Sequence, residues 1–438
     1  MTVDPQAPPA NLAKRRTGKR VQLRWVFIAL IVLAGVVNYL DRNTLSIGNT
    51  TIAADLGLNT IEMGLLLSAF SWPYAIANLP AGYLVDKIGA KRMFAWAAAA
   101  WSVVTMLTAF VKTFPLFYAA RVALGIAESP FFTSGLKVSE RWFAKDERSL
   151  PVSIINTGSQ IANAIAPPLL TFLLLTMSWQ GMFLVVGAFG LVVAAIWVKV
   201  YRDPTFQEEV ALKGAVEAAP EPVEAAKASW LSLFKQANTW FMVIGAFGIF
   251  YTVWVYLTWL PSYLQTSRGF SLKETGFVAA LPFLAGIFGV LVGGWVSTRL
   301  IRRGVPAVTS RKIPIVAGAV LAAAAVLPVA YIQNTVVVIV LLCLGYFFAQ
   351  VPIGVIWTLA SDLAEKHQVA SLGAIQNFGG FLGAAVAPIV TGIILNNTGG
   401  NYSLVFLVGG ILLLVGAVSY GLFVKDRRGI AGTAPASA

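Results

Sequence analysis

The pentapeptide Asn38-Tyr39-Leu40-Asp41-Arg42 sets an acid and a base side by side inside an otherwise apolar run. The run opens at Trp25, passes through Phe27 and Leu33, and continues beyond the charges through Leu45, Ile47 and Ile52 without a proline. Read as a helix over residues 25 to 52, it rises ~1.5 Å per residue and carries Asp41 and Arg42 about 24 Å from its start. That depth lies within the ~30 Å hydrocarbon core of a bilayer. Charged side chains there cost at least ~2.5–3.5 kcal/mol each, so they are expected to face a water-filled cavity or a partner rather than lipid. A helix ending at Leu40, with the two charges as interfacial punctuation, is the competing reading; it leaves the apolar residues beyond Arg42 without a place.

A second acid and base, Arg121 and Glu128, interrupt another apolar run. Seven residues apart, they fall within about 20° of one helical face but about 10.5 Å apart along the axis, so they share a face without touching. Each needs a partner on another helix, and the first run offers both signs. Asp41 and Arg42 diverge by about 100° around their own helix, so one can face a cavity while the other faces a neighbour. Arg42 is the better anion ligand, because guanidinium stays charged and grips a carboxylate with two parallel hydrogen bonds. Asp41 and Glu128 can instead change charge, since burial and a nearby arginine push the proton affinity of a carboxyl in opposite directions. An anion arriving at the arginine can then tip an acid's proton occupancy. A static ion-pair cluster holding helices together is the structural alternative.

Other chemistry is largely excluded by composition. The single histidine, His367, falls in an expected loop, and the single cysteine, Cys343, in an apolar run. That argues against a disulfide framework, a cysteine-based zinc site, an HExxH centre and a Ser-His hydrolase, and no Walker A or GxGxxG loop is present. An enzyme is not expected, nor a metal or cofactor. With 58% hydrophobic and 12% charged residues, the chain has about half the ~25% charge of a soluble domain and reads as a polytopic membrane protein. The net charge of +13 does not point to nucleic acid, because the basic residues sit in short clusters between apolar runs.

The elements that must position these groups are apolar segments of spanning length, and twelve can be counted: about 25 to 52, 61 to 85, 93 to 112, 114 to 139, 150 to 176, 182 to 200, 240 to 267, 275 to 300, 312 to 331, 336 to 363, 369 to 395 and 402 to 424. Of the 32 lysines and arginines, all but Arg42, Arg121, Lys112, Arg268 and Lys273 fall at the termini, in even-numbered connections or at the helix ends beside them. The positive-inside rule then places both termini in the cytoplasm. The expected organisation is a cytoplasmic arm (1–24), a six-helix bundle (25–200), a linker (201–238) too polar and alanine-rich to bury anything, a second six-helix bundle (239–424) and a cytoplasmic tail (425–438). Asn156, Gly158 and Pro167 on the fifth span recur as Asn377, Gly379 and Pro388 on the eleventh. The loop Gly82-x3-Asp86-Lys87-x-Gly89-x-Lys91-Arg92 has a degraded counterpart, Gly294-x3-Thr298-Arg299-x2-Arg302-Arg303. Two six-helix repeats with a site at their interface are a transporter architecture.

That loop resembles the signature of the major facilitator superfamily, in which glycine lets helices approach while an acid and bases tie the cytoplasmic ends together. The resemblance would make Gly82, Asp86, Lys87, Gly89 and Arg92 a cytoplasmic gating loop, with Thr298 breaking the match in the second half. Asn38-Tyr39-Leu40-Asp41-Arg42, Arg121-x3-Gly125-x2-Glu128-x-Pro130, Trp142-Phe143 and Glu147-Arg148 together resemble the anion:cation symporter family, and most its bacterial proton-coupled galactonate, glucarate and hexuronate members. The resemblance implies an all-α, twelve-helix membrane fold in two pseudo-symmetric bundles, monomeric, in a bacterial inner membrane among lipid, importing a small carboxylate together with protons. It further implies that Arg42 ligands the substrate carboxylate, that Asp41 and Glu128 form the protonatable pair with Arg121 coupled to them, and that Tyr74, Gln160 and Asn377 hydrogen-bond sugar hydroxyls beside an aromatic wall from Trp357. Gln160 and Asn377 also suit polar glue between helices. Tyr251, Trp254, Tyr256 and Trp259 on the seventh span suit packing or an interfacial belt as well as stacking on a ligand. A carrier of aromatic or other small organic acids, and a passive channel, are the rival functions.

Overall fold

The computed structural model describes residues 10–144, 147, 149–213, 231–364 and 369–425; the described residues contain helices and turns and no strand. His367 and Arg148 lie outside them. Span one is a single helix, Ala10–Ile47, so the stretch read as an arm is helical from Ala10 and continuous with the membrane segment. A turn at Gly48 leads into the short helix Asn49–Leu56. Spans three, five and six are Ala90–Thr108, Ser149–Thr176 and Trp179–Val200; spans seven, ten and eleven are Ala237–Arg268, Thr335–Leu363 and Val369–Asn397. Span nine, Ala307–Val326, finishes in a 3-10 turn, and span twelve, Ser403–Val418, in a π turn.

Besides span one, whose expected course to residue 52 is broken by the turn at Gly48, three spans expected to be continuous are interrupted. Span two divides into Thr60–Ser68 and Ser71–Ile88, span four into Phe114–Glu128 and Pro130–Trp142, and span eight into Leu272–Val278 and Ala280–Arg302. A proline follows each of these three interruptions closely (Pro73, Pro130, Pro282), and its ring removes a backbone donor and crowds the preceding turn. At Ser129 the backbone N–H turns to the Ile126 carbonyl at 3.3 Å, a tighter 3-10 geometry. Among the described residues, nine stretches are long and apolar enough to cross a membrane on length and composition alone. Spans two, three and four are present as helices outside that group, because Asp86, Lys91, Arg92, Arg121, Glu128 and Lys137 dilute their hydropathy.

Spans one and five pack together in the first half, as do seven and eleven in the second. The repeated glycines make these contacts close: a Cβ on Gly158 would stand 3.3 Å from the Val32 carbonyl oxygen, and one on Gly379 would stand 2.7 Å from that of Val243. Spans two and eleven, five and eight, and one and seven form the seam between the halves. The seam is tight at the end remote from Ala10 and Lys425. There Gly64 abuts the Pro388 carbonyl, leaving 2.6 Å for an added Cβ, and Gly392 abuts Thr60. Cross-seam hydrogen bonds run from the hydroxyls of Ser68 to Ala385 O (2.6 Å), Ser46 to Thr258 O (3.0 Å) and Thr50 to Gln265 Oε1 (2.8 Å).

The linker differs from expectation at its ends. Tyr201 is fully buried and Glu208 nearly so, where the helix Phe206–Lys213 docks on the first half; Leu233, also fully buried, lies on the short helix Leu231–Phe234 against span seven. Arg202 pairs with Glu208 at 2.6 Å and Arg141 with Glu209 at 2.6 Å. The hydrogen bonds that Glu208 accepts raise the Arg202 pKa further. Arg141–Glu209 ties the segment to span four, while Tyr201 and Leu212 pack into the apolar core of the first half.

Candidate functional site

Span one delivers Arg42 to the seam, where its Nε donates to Glu128 Oε2 at 2.8 Å. Both side chains are taken from water: Glu128 is wholly buried and Arg42 is 9% exposed. Three rings close around the guanidinium, those of Phe70, Tyr39 and Tyr74 at 4.5, 4.6 and 4.8 Å from ring centroid to Cζ. A ring face attracts a cation, and the cage leaves the guanidinium edge as its route to an anion. The backbone explains why Glu128 arrives here. A Cβ on Gly125 would collide with the Phe70 carbonyl, so glycine lets span four press against the interruption in span two.

Arg121, one turn before Gly125 on the same helix, is 3% exposed. Its Cζ lies 5.7 Å from the Phe70 ring. It forms no ion pair among the described residues, and its Nε and Nη1 are buried without a hydrogen-bond partner. Asp41, turned away from Arg42 by one residue's rotation, is also wholly buried. Neither of its carboxyl oxygens has a hydrogen bond in strict geometry, although the Thr105 hydroxyl stands beside it. Glu128 Oε1 and both polar atoms of Asn38 are likewise unpartnered. An unsatisfied buried polar group costs ~1–3 kcal/mol, so this concentration makes the cluster a candidate site.

A cavity beside the cluster is lined by Tyr39, Arg42, Asn43, Phe70, Arg121 and Asn163 from the first half, and by Trp254, Leu257 and Thr258 from span seven. It is narrow, with about 30 Å³ of room for water inside about 400 Å³ of unfilled space. Phe381 on span eleven bridges the halves, 5.1 Å from Tyr74 and 6.5 Å from Trp254 between ring centroids.

The structure thus brings Arg42, Tyr74, Asp41, Glu128 and Arg121 into one cluster, with one change of pairing. Arg42, expected to stand ready for substrate, is held by Glu128, while Arg121 lies near both acids as expected but forms no ion pair among the described residues and keeps unused donors. Gln160, Trp357 and Asn377 do not line the cavity. Gln160 Oε1 is buried and unpaired, Asn377 is half-buried, and Trp357 is 41% exposed with its ring edge-on to Phe250. Of the span-seven aromatics, Trp254 reaches the cavity while Tyr251, Tyr256 and Trp259 are packed in the interior. Sequence reasoning missed Asn43 and Asn163, whose side chains meet across spans one and five at 3.1 Å. Their signal was available, since Asn43 follows Arg42 and Asn163 lies three residues, nearly one turn, beyond Gln160.

In the loop after span two, Asp86 pairs with Lys137 of span four at 2.9 Å, so the acid does tie two helix ends together. The glycines act otherwise than expected. A Cβ at Gly82 or Gly89 would meet nothing within 4 Å, and Gly89 instead adopts φ +91° in the turn between spans two and three, a backbone state open chiefly to glycine. Lys87 lies over the Tyr83 ring. Glu147 pairs with Arg24 at 2.6 Å.

Two six-helix halves around a buried cluster of opposed charges define a class of membrane transporter, and the Major Facilitator Superfamily model matches residues 31–388 and 309–438. The chain belongs to that family, as a multi-pass transporter rather than an enzyme. It is 37% identical over 432 residues to a probable L-galactonate transporter of Escherichia coli (strain K12), covering 97% of this chain and 94% of that one. It is 34% identical over 435 residues to a probable galactarate/D-glucarate transporter of the same strain, covering 94% and 96%. Among solved structures, a bacterial homologue of the human lysosomal transporter Spinster, in an inward-facing and occupied conformation, superposes with a TM-score of 0.76 at 16% identity, over 92% of this chain and 97% of that one. This last similarity bears on the fold alone.

Proposed function

We propose that the protein is a proton-coupled symporter that takes up a sugar acid of the galactonate, glucarate or hexuronate kind across a bacterial inner membrane, with both termini cytoplasmic. The observation that carries this reading is Arg42, which stands in the wall of the cavity between the halves and is held from behind by the buried carboxylate of Glu128. A carboxylate substrate and Glu128 compete for one guanidinium. When Glu128 takes up a proton it loses its claim on Arg42, whose fork is then free for the substrate carboxylate. Asp41, buried with no hydrogen bond and near Arg121, is the second proton site. Its neutral form removes the cost of an unpartnered buried charge.

The present cavity is far smaller than the ~300–1,000 Å³ usual for a small-molecule site, so binding also needs the halves to part. On the positive-inside orientation the tight end of the seam is the outer one, and the arrangement seen is the inward-facing side of an alternating-access cycle. In the opposite arrangement, Tyr74, Gln160, Asn377 and Trp357 close around the polyol. Loop contacts such as Asp86 with Lys137 brace the cytoplasmic ends. The relatives named for galactonate and glucarate support the substrate class. A thermal-shift panel of purified protein separates this reading from its rival, because a ligand that binds only the folded state raises apparent stability. Stabilisation by galactonate, glucarate or a hexuronate supports it; stabilisation by hydroxylated benzoates alone overturns it.

A further inference from the structure

Span eight presents a row of large apolar side chains to the outside of the bundle: Phe277, Leu281, Leu284, Phe288, Leu291 and Trp295, all between 45% and 64% exposed. Their spacing of three and four residues keeps them on one helical face. The row is about 27 Å long at ~1.5 Å per residue, close to the ~30 Å hydrocarbon thickness of a bilayer. Trp295 therefore sits where the hydrocarbon ends. Beyond it the same face continues with Thr298, Arg299 and Arg302, and these residues with Gly294, Trp295 and Arg303 line an open recess of about 480 Å³.

Four features set this recess apart from an ordinary basic helix end. Among the described residues, none of its three arginines forms an ion pair, whereas Asp86 at the corresponding turn of the first half is paired with Lys137. Thr298 occupies the position of that acid and spends its hydroxyl on the Gly294 carbonyl at 2.9 Å, so no carboxylate is built into the recess. The Arg299 guanidinium rests 5.5 Å from the Trp295 ring centroid, which holds it at the mouth. Asp362, the acid on the adjoining span ten, is occupied by Arg311 at 3.1 Å.

We propose that this recess is a binding site for the headgroup of an anionic phospholipid, with the acyl chains lying along the row from Trp295 towards Phe277. Charge complementarity selects the occupant: three unopposed guanidiniums suit a phosphodiester, and the apolar row continuous with them suits its chains. The loss of the acid from the loop motif after span eight then exchanges an internal clasp for a lipid contact.

The test is native mass spectrometry of the detergent-purified full chain with added phosphatidylglycerol or phosphatidylcholine of matched chains. Each arginine near a membrane surface contributes about fivefold to anionic-lipid binding. The triple variant Arg299→Gln/Arg302→Gln/Arg303→Gln is expected to bind phosphatidylglycerol about a hundredfold more weakly and phosphatidylcholine unchanged. The single variant Arg302→Gln, less exposed to folding failure, is expected to lose about fivefold. Lys235→Gln/Lys425→Gln, which removes two charges elsewhere on the same side, is expected to behave like the parent, and soluble glycerol phosphate is expected not to compete. Equal losses in the control and Arg302→Gln variants, or full competition by glycerol phosphate, would overturn the proposal.

Discussion

Replacing Glu128 with glutamine tests whether this carboxylate competes with substrate for Arg42. The substituted amide keeps an oxygen in place to accept from Arg42 Nε, now 2.8 Å from Glu128 Oε2, but removes the negative charge. Arg42 stays charged, so a charge-assisted hydrogen bond is kept, but the attraction between two full charges, worth ~1–3 pKa units to a carboxylate beside an arginine, is lost. Freeing Arg42 should thus cost ~1.4–4 kcal/mol less in the variant. At ~1.36 kcal/mol per tenfold, substrate should bind about 10- to 1,000-fold more tightly at pH 8, where the parent's Glu128 holds the arginine. The advantage should shrink as pH falls and the parent's own carboxyl takes up its proton. Isothermal titration of galactonate into purified parent and Glu128→Gln protein between pH 5.5 and 8 reads both quantities. The same variant should lose proton-driven accumulation in proteoliposomes while keeping substrate exchange between preloaded compartments. Unchanged or weaker binding at pH 8 in a well-folded Glu128→Gln protein would refute the competition, and parent-like accumulation would refute the coupling.

Arg42→Lys should weaken substrate binding by about tenfold to a hundredfold, because a point charge cannot reproduce the two-pronged bond; near-parent affinity by titration would make Arg42 structural. Asp41→Asn replaces a buried acid whose oxygens have no hydrogen bond, so its melting temperature should equal or exceed the parent's while pH-gradient accumulation is lost; a clear fall in melting temperature would place Asp41 among the packing groups. Gly64→Leu puts a side chain where only 2.6 Å separates an added Cβ from the Pro388 oxygen. At ~1–3 kcal/mol for overpacking, it should open the tight end of the seam, read as slower disulfide formation in a Thr50→Cys/Gln265→Cys pair. Crosslinking at the parent rate would mean the glycine contact does not latch that end.

The helices were legible in the sequence because hydropathy over ~20 residues is a direct statement about a bilayer. The repeat at Gly158 and Gly379 was legible because close packing leaves only glycine room. The cluster itself could be named, since buried charges are too costly to occur without a partner, but not which base takes which acid. That depends on the interruption at Phe70, which Gly125 meets at close range, and on rotations set by three helices at once. Glycine spacing misled at Gly82 and Gly89, where the same residue type serves an open surface and a positive-φ turn. The docked linker escaped notice because Glu208 and Glu209 read as solvated until Arg202 and Arg141 are seen beside them. Gln160, Asn377 and Trp357 stand apart from the Arg42 cavity, and their proposed part belongs to a conformation in which the other end of the seam has closed.

The most direct test of proton-coupled sugar-acid transport is uptake of labelled galactonate, glucarate and a hexuronate into proteoliposomes under an imposed pH gradient. The account predicts accumulation of at least one of them above equilibrium, collapse with a protonophore, and no change when potassium replaces sodium. Sodium-dependent uptake with no response to pH, or equilibration without accumulation, would contradict it.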